Sequence, residues 1–306
     1  MIAEADIVHL HTLWSPLVAA AARFSERLGV PYVLSPHGML DPWSLRQGAL
    51  KKHVWLTLVE RDTLFAAARL VFTTAAERDL ALATYAAPPK AEVIALGADP
   101  LPTNARALRS AFFSANPSLR TRPILIFMGR LHEKKRPDVA IKAMLDIRKA
   151  IPNAMLLVVG AGRKGTLATL RKLVEDRGLE DNVLFTGMLE GAQKWEALVS
   201  SKIFLLPSQQ ENFAIAAAEA LRSAIPVILT KKVNIWPEVV GAGAGIALEE
   251  ENLVEIMASE AIGILTDENL HKEMSFNAAA LAAQLYTWEV CSRKTHAMYE
   301  DVIGGI

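Results

Sequence analysis

Two basic side chains follow a glycine at the end of a hydrophobic run and could bind phosphate groups. The segment from Gly129 to Lys135 reads Gly-Arg-Leu-His-Glu-Lys-Lys and comes directly after the run 124–128. Arg130 offers a planar fork for phosphate oxygens and Lys135 a mobile point charge, so together they can neutralise a diphosphate leaving group. Lys134 is a neighbouring cation that could fill the role of Lys135. A solvated basic loop explains this segment, taken alone, equally well.

Two carboxylates lie eight residues apart after another hydrophobic run, 203–206. Glu211 precedes a helical segment that we expect to begin at Asn212, and Glu219 lies inside that segment. Since two helical turns span about 7.2 residues, we expect both carboxylates on roughly the same side of one element. Such a pair could hold the hydroxyls of a sugar and a ribose. Glu211 could instead be a helix-start acid favoured by the dipole, whereas Glu219 in an apolar helix is costly without a partner.

Three glycines match the dinucleotide-binding pattern G-x-G-x-x-G. Gly160, Gly162 and Gly165 follow the hydrophobic run 155–159. The context is unfavourable, because this pattern normally opens the first βαβ unit and needs an acid at the end of the next strand. That strand ends here in Phe-Thr-Gly at 185–187. An NAD(P)-binding oxidoreductase is therefore the less favoured alternative.

The elements that must position these residues follow a βα pattern. Short β-branched runs alternate with longer segments of helical period, which indicates helices packed on parallel sheets. The predicted strands cover 7–10, 31–34, 70–73, 92–95, 123–128, 155–159, 183–186, 203–206 and 226–229. Helices are predicted over 16–28 and 50–65. The fold class is α/β with two Rossmann-like domains, whose ligands would lie beyond the carboxyl ends of the strands.

Composition excludes several classes of protein. The chain has 306 residues, which favours two domains, and 33 basic against 33 acidic residues, so no net charge attracts nucleic acid. Its one cysteine, Cys291, rules out an intrachain disulfide framework and suits a reducing compartment. No apolar run reaches the roughly 18 residues of a membrane span, and the start lacks a basic region. We expect a cytoplasmic protein that could still lie on the inner face of a membrane.

The ordered set of motifs resembles the retaining family-4 glycosyltransferases of GT-B fold, over nearly the whole chain. The motifs are Gly129-Arg130 with Lys135, Glu211 and Glu219, Pro226-Val227, Pro237-Glu238-Val239, Ser35-Pro36-His37-Gly38-Met39 and the segment 93–99. The resemblance implies a glycosyltransferase that moves a sugar from a nucleotide-sugar donor to a glycan or lipid-linked acceptor in bacterial polysaccharide synthesis.

The resemblance also assigns roles to single residues. Arg130 and Lys135 would hold the donor diphosphate, and Glu219 would bind the nucleotide ribose. Glu211 would hold the transferred sugar together with a backbone segment made of Asn212, Phe213 and Ala214. The nucleotide would lie near Gly129, Gly160, Gly187, Met188 and Leu189. No metal is expected, because the basic residues already supply that electrostatic stabilisation.

The same resemblance places His37 near the reacting carbon of the donor sugar. It lies in a Pro-His-Gly turn, where a histidine could also simply bond the backbone. Both interpretations are open from the residues alone.

The first domain departs from the family pattern. The chain begins at what resembles the fourth strand, so this domain is predicted to be shortened by about three strands. The open edge of the strand 7–10 would then be covered by a second copy of the chain or by a membrane surface. Asn212, Ala214 and Ala224 stand where the family commonly has glycine. A catalytically weakened nucleotide-sugar-binding protein is therefore an alternative to an active enzyme.

The predicted domain organisation has four parts. Residues 1–108 form the acceptor-side domain, 109–122 a linker, 123–285 the donor domain, and 286–306 a helix that crosses back to the first domain. Within the first domain, the segment 43–58 mixes apolar residues with several basic ones. It is typical either of a helix at a membrane interface or of one packed by its apolar face.

Overall fold

The computed structural model describes residues 2–83 and 90–305 and has two compact units. Unit 1 comprises Met1–Gly97 and Trp288–Ile306, and unit 2 comprises Ala98–Thr287. Each unit has one parallel β-sheet with helices, so the predicted α/β class is confirmed. The predicted boundaries at 108, 122 and 285 stay predictions. The segment predicted as a linker overlaps a helix of unit 2, Ala105–Ala115.

The sheet of unit 1 has the strand order β1-β2-β3-β4 in the described residues. Its elements are β1 (Val8–His11), α1 (Pro16–Leu28), β2 (Tyr32–Ser35), α2 (Pro42–Arg46), α3 (Ala49–Trp55), α4 (Arg61–Phe65), β3 (Arg69–Phe72), α5 (Ala75–Leu82) and β4 (Ala91–Val93). Both faces of β2 and β3 are buried, as expected for central parallel strands. In the register of β1 and β2, His9 pairs with Val33 and His11 with Ser35.

The long helix predicted over 50–65 is interrupted. Between α3 and α4 the chain forms a π-helical turn, Leu56–Glu60, that places the Glu60 side chain in the interior. Its Oε1 accepts hydrogen bonds from the backbone N–H of Trp14 (2.7 Å) and from Nε1 of Trp55 (2.9 Å). Inserted π turns often mark functional sites, and this one ties the loop after β1 to the helix pair.

The last helix of the chain, Trp288–Gly304, completes the core of unit 1. Met298 and Val302 pack with the buried side chains Val33, Val71 and Ile94 on one face of the sheet. Since residues 33, 71 and 94 lie on or beside three different strands, this helix covers several strands at once.

Unit 2 is built on a sheet with the order β10-β9-β8-β5-β6-β7. Its elements are α6 (Ala105–Ala115), β5 (Ile124–Met128), α7 (Pro137–Ala150), β6 (Met155–Val159), α8 (Lys164–Asp176), β7 (Val183–Gly187), α9 (Gly191–Ser200), β8 (Ile203–Leu206), α10 (Ile215–Arg222), β9 (Val227–Thr230), α11 (Trp236–Gly241), β10 (Gly245–Leu248), α12 (Leu253–Thr266) and α13 (Glu268–Leu285). We label the last helix of unit 1 α14 (Trp288–Gly304). The strands β5, β6, β8 and β9 are buried on both faces.

The chain order of these strands reverses at β5. From β5 the chain continues to β6 on one side, whereas β8 pairs with β5 on the other side. In open α/β sheets, ligands bind beyond the carboxyl ends of the strands at such a switch point. The loops after β5, β6 and β8 therefore form the part of unit 2 where a ligand site is expected.

Candidate functional site

A cavity of about 700 Å³ opens at the carboxyl ends of β5 and β6. It is lined by residues that the sequence analysis singled out, namely Gly129, Arg130, Gly160, Met188 and Leu189, together with His132 and Arg163, which it did not. Cavities of this size hold small ligands or cofactors. Two arginines in the lining give the cavity a preference for anionic groups.

The predicted glycines bring the strand ends into close contact. The backbone N–H of Gly129 donates to the carbonyl of Val159 (3.0 Å), and that of Gly160 donates to Gly187 (2.8 Å). Gly160 has φ +139°, and a Cβ at this position would lie 1.9 Å from the carbonyl oxygen of Gly129. Only glycine fits this backbone approach. Gly162 is similar, since a Cβ there would lie 2.6 Å from the Leu131 carbonyl oxygen.

The basic loop and the acidic loop meet because they follow adjacent strands. The backbone N–H of Gln209, after β8, donates to the carbonyl of Lys134, after β5 (2.8 Å). Nζ of Lys135 lies 2.6 Å from Oε1 of Glu211. The Lys135 side chain also runs beside Gly129, with its Cδ 4.0 Å from where a Cβ would be. The structure thus brings together three predicted site residues, and it selects Lys135 rather than Lys134 as the partner of the carboxylate.

Glu211 is not part of the helix that carries Glu219, so the expectation of two carboxylates on one side of one element is wrong. The sequence predicts that the helix begins at Asn212, whereas it begins three residues later, at Ile215. Glu211 is held in extended backbone instead. Its N–H donates to the carbonyl of Lys232 (2.9 Å), and its carbonyl accepts from the N–H of Asn234 (3.0 Å). This backbone pairing with the segment after β9 keeps Glu211 extended, so α10 does not continue back to Glu211.

The loop between Glu211 and α10 is fixed by one ring and one strained residue. The buried Phe213 ring meets the Tyr286 ring edge to face, with centroids 5.3 Å apart. Ala214, at the start of α10, has φ +65°. That left-handed conformation costs a non-glycine residue about 1–2 kcal/mol. The Phe213 side chain therefore anchors the loop, which leaves the backbone of the loop as the part suited to ligand contacts.

Ala224 has the same strain as Ala214 but lies exposed at the end of α10, with φ +57°. We expect Ala224→Gly to raise the free energy of unfolding by about 0.5–1 kcal/mol, because glycine adopts this conformation without a steric penalty. Urea denaturation of the two proteins measures the difference. Ala220→Gly in the middle of α10 is the control and should destabilise the protein. A lower stability of Ala224→Gly would contradict the strain at this residue.

Glu219 lies in α10 and is buried, with 7% of its surface exposed. Its Oε1 accepts a hydrogen bond from Nζ of Lys194 on α9 at 2.6 Å. The ammonium group also lies 4.5 Å from the centre of the Trp195 ring. A buried carboxylate needs such a partner, and the pair leaves the remaining lone pairs of Glu219 as acceptors for hydroxyl groups.

His37 belongs to unit 1, where it is part of a cluster of three histidines. Nε2 of His37 lies 2.9 Å from Nδ1 of His11, and the two rings are nearly parallel and lie edge to edge, with centroids 5.2 Å apart. His9 stacks on His11, with centroids 4.2 Å apart. The ring nitrogens of His9 contact the hydroxyls of Tyr299 (2.5 Å) and Ser35 (2.8 Å). His37 is therefore more than a loop residue that bonds the backbone.

Several residues of these sites were not predicted from the sequence. His9 and His11 are two residues apart on β1. Side chains at this spacing lie on the same face of a strand, so the pair could have been predicted. Arg163 lies inside the glycine pattern and was not considered as a cavity residue. Lys194 carried no signal, because only tertiary packing brings α9 beside Glu219. Within residues 2–83 and 90–305, no group of three histidine, cysteine or acidic side chains is arranged to hold a metal ion.

Comparison with known proteins agrees with this fold. Residues 109–281 match the family model "Glycosyl transferases group 1", and residues 3–97 match "Glycosyl transferase 4-like domain". The chain therefore belongs to the glycosyl transferases group 1 family and is a glycosyltransferase, which confirms the resemblance seen in the sequence.

Individual relatives come from several bacteria. The chain is 26% identical to a D-inositol 3-phosphate glycosyltransferase of Acidothermus cellulolyticus, over 97% of this chain and 67% of the relative. It is 31% identical to the N-acetyl-alpha-D-glucosaminyl L-malate synthase of Bacillus anthracis, over 59% of this chain and 46% of that protein.

Solved structures share the fold at lower sequence identity. Anabaena HepE in complex with UDP and glucose aligns with a TM-score of 0.80 at 17% identity, covering 98% of this chain and 79% of HepE. A sucrose-phosphate synthase from Thermosynechococcus elongatus aligns with a TM-score of 0.77 at 19% identity, covering 98% and 74%. This chain therefore shares the GT-B fold with both of these glycosyltransferases.

Proposed function

We propose that this chain is a retaining glycosyltransferase that moves a sugar from a nucleoside diphosphate donor to a glycan or lipid-linked acceptor in bacterial polysaccharide synthesis. The observation that carries the proposal is the ion pair of Lys135 and Glu211 beside Gly129, at the switch point of the unit 2 sheet. Anabaena HepE, solved with UDP and glucose, and the pneumococcal O-GlcNAc transferase GtfA, solved with UDP and GlcNAc, support a donor of this chemical class.

Each part of the donor has a proposed partner in unit 2. Arg130 and Lys135 bind the diphosphate and stabilise it as it leaves. Glu211 and the backbone after it hold the sugar hydroxyls, and Glu219 accepts hydrogen bonds from the ribose. The base occupies the part of the cavity beside Gly187, Met188 and Leu189.

The reaction that these groups serve is a substitution at the anomeric carbon. The bond from this carbon to the diphosphate oxygen breaks, and an acceptor hydroxyl forms a new bond on the same face. Its proton passes to the leaving phosphate, so no separate general base or metal is required. In unit 1, His37 is the residue that we propose takes part in the transfer. A weakened enzyme that only binds nucleotide sugars is the alternative, which a transfer assay with matching sugars distinguishes.

The experiment that tests the donor site is a calorimetric titration with UDP, GDP, ADP and NAD. We expect one nucleoside diphosphate to bind. Glu219→Ala should weaken that binding by about 1–3 kcal/mol, the contribution of hydrogen bonds to a charged group. Glu175→Ala removes an exposed carboxylate of the same unit and is the control. Unchanged affinity in Glu219→Ala would contradict the ribose contact, and binding of NAD alone would favour the dinucleotide alternative.

An apolar stripe on unit 1 is the surface that we propose for contact with a membrane. Leu50, Val54 and Leu58 follow each other at four-residue spacing and are 79%, 49% and 69% exposed. The exposed basic residues Lys51 and Arg61 lie beside this stripe in the sequence. We propose that the stripe inserts into the surface of an anionic bilayer while the basic groups contact lipid headgroups. No helix in the described part of the chain is long and apolar enough to cross a membrane.

Co-sedimentation with vesicles tests this contact. Wild-type protein should sediment with phosphatidylglycerol vesicles more than with phosphatidylcholine vesicles, because the basic groups favour anionic headgroups. The triple variant Leu50→Glu, Val54→Glu, Leu58→Glu should lose most of the binding, since each apolar side chain contributes about 1.5–3 kcal/mol when fully buried. Phe276→Glu replaces an equally exposed apolar residue in unit 2 and is the control. Equal sedimentation of the triple variant and wild type would contradict the contact.

The outer edge of β1 is a second surface of unit 1. In the described residues β1 pairs with β2 only. That a second copy of the chain pairs with this edge stays a hypothesis. Light scattering of the purified protein decides it, and a monodisperse monomer would contradict a dimer.

A further inference from the structure

His9 and His11 stack on each other at the carboxyl end of β1, and His37 lies edge to edge with His11. His9 and His11 project from the same face of β1, and His37 follows β2. The ring centroids of His9 and His11 are 4.2 Å apart, and those of His11 and His37 are 5.2 Å apart in nearly parallel rings joined by a hydrogen bond. His11 therefore contacts two rings, and the one that it hydrogen-bonds belongs to His37, a proposed functional residue.

The inner end of the stack is fixed by hydrogen bonds. Both ring nitrogens of His9 have partners, the Tyr299 hydroxyl on Nδ1 and the Ser35 hydroxyl on Nε2. Tyr299 lies on α14 and Ser35 ends β2, so two separate elements prevent rotation of the His9 ring. A fixed His9 ring gives His11 a rigid surface to stack on.

The backbone of His37 is also held in place. His37 has φ +51°, a conformation that costs a non-glycine residue about 1–2 kcal/mol and persists only when its surroundings enforce it. Oε1 of the buried Glu77 accepts a hydrogen bond from the N–H of Gly38 at 2.5 Å. Oε2 of Glu77 accepts from both the N–H and the hydroxyl of Thr73 (2.7 Å each). The turn is thus tied to the end of β3, and the His37 ring is tied to His11.

We propose that His11 is a positioning residue for His37, because its hydrogen bond occupies Nε2 of His37 and leaves Nδ1 as the nitrogen available to the substrate. Among the described residues, Nδ1 of His37 has no hydrogen-bond partner. The proposal rests on the proposed function, since it states which atom of His37 serves the transfer reaction.

The charge state of the three histidines agrees with a hydrogen bond between His11 and His37. Burial lowers the pKa of His37, and burial together with the nearby His37 lowers the pKa of His11. Burial, followed by the neighbouring His11 and His37, lowers the pKa of His9 to about 4. The rings are therefore neutral at pH 7, so one of the two facing nitrogens donates and the other accepts. The hydrogen bond therefore couples the tautomers of His11 and His37.

The test combines a spectroscopic and a kinetic readout on full-length protein. Nitrogen-15 shifts of the His37 ring report its tautomer in wild type, His11→Phe and His11→Gln. We expect the tautomer populations of His37 to differ between wild type and His11→Phe, which keeps a ring that can stack on His9 and removes the nitrogens. We expect His11→Gln to return the populations toward those of wild type, because the amide can again form a hydrogen bond with Nε2 of His37. His296→Phe replaces an exposed histidine of unit 1 and is the control.

In the kinetic readout, His11→Phe should lower kcat by about tenfold to a hundredfold, the range known for partners that orient metal-binding histidines. KM for the donor should change little, and His11→Gln should recover most of the rate. A wild-type tautomer pattern in His11→Phe, or a changed pattern with an unchanged kcat, would overturn the proposal. Absence of transfer by wild type would instead refute the proposed function, and the nitrogen-15 spectra would still decide whether His11 orients His37.

Discussion

Lys135→Ala is expected to lower kcat for sugar transfer by about a hundredfold to a thousandfold, the usual effect of removing one preorganised stabiliser of developing charge. Nζ of Lys135 lies at the end of β5 and already faces one carboxylate, Glu211, at 2.6 Å. As the diphosphate leaves, its negative charge grows, so this ammonium contributes more in the transition state than in the bound donor. The affinity for the nucleoside diphosphate should therefore fall less than kcat. Steady-state kinetics and calorimetry on the same protein measure both.

Two variants separate this electrostatic role from other effects. Lys134→Ala removes the neighbouring cation, which is not the partner of Glu211, and should keep most of the activity. Lys135→Arg keeps the charge and should retain more activity than Lys135→Ala. Thermal unfolding is needed alongside, because loss of Lys135 leaves the buried Glu211 without its ion-pair partner. An equal loss of kcat and donor affinity would indicate ground-state binding, and greater damage from Lys134→Ala would reverse the assignment.

Gly160→Ala is expected to destabilise the protein by about 3 kcal/mol or more, because it combines a steric overlap with a backbone conformation reserved for glycine. The new Cβ would lie 1.9 Å from the carbonyl oxygen of Gly129, and φ at this residue is +139°. The overlap is with backbone, so no side chain can rotate away. Relief requires separation of the ends of β5 and β6. Urea denaturation monitored by circular dichroism measures the loss.

Gly165→Ala is the matched substitution in the same glycine pattern. A Cβ at Gly165 meets nothing within 4 Å, and this residue lies in the first turn of α8. Its replacement should change stability little or raise it by up to about 1 kcal/mol, as expected of alanine in a helix. Equal destabilisation by the two substitutions would show that the close approach does not constrain Gly160. A larger loss of stability in Gly160→Ala than in Gly165→Ala would mean that Gly160 is needed for the close packing of the ends of β5 and β6.

The strands of this protein could be predicted from sequence where they are buried on both faces. Runs such as 124–128 and 203–206 are hydrophobic throughout, which distinguishes them from amphipathic helices. The strand β10 was not predicted, because its sequence, Gly-Ile-Ala-Leu, has only one β-branched residue. The π turn at 56–60 was also not predicted. It depends on burial of Glu60 against two tryptophans, which are contacts that helical periodicity does not contain.

The residue types of the candidate site could be predicted from the sequence, but which residues form ion pairs with each other could not. The order of basic loop, glycines and carboxylates along the chain indicated a phosphate-binding and sugar-binding site. Which cation meets which carboxylate depends on β5 and β8 being neighbours, and strand order cannot be deduced from local pattern. The same is true of Lys194 and Glu219, which come from different helices. The eight-residue spacing of the carboxylates was misleading because Glu211 pairs with the segment after β9.

The discontinuity of unit 1 has a consequence for the order in which the protein folds during synthesis. A ribosome completes all of unit 2 before it makes α14, whose Met298 and Val302 fill the core beside Val33 and Val71. Unit 2 is one continuous stretch and can fold while translation proceeds. The part of unit 1 that precedes residue 98 must wait with an uncovered apolar face until α14 emerges. Protection of that face by chaperones, and rejection of chains that stop before α14, therefore concern unit 1 and not unit 2.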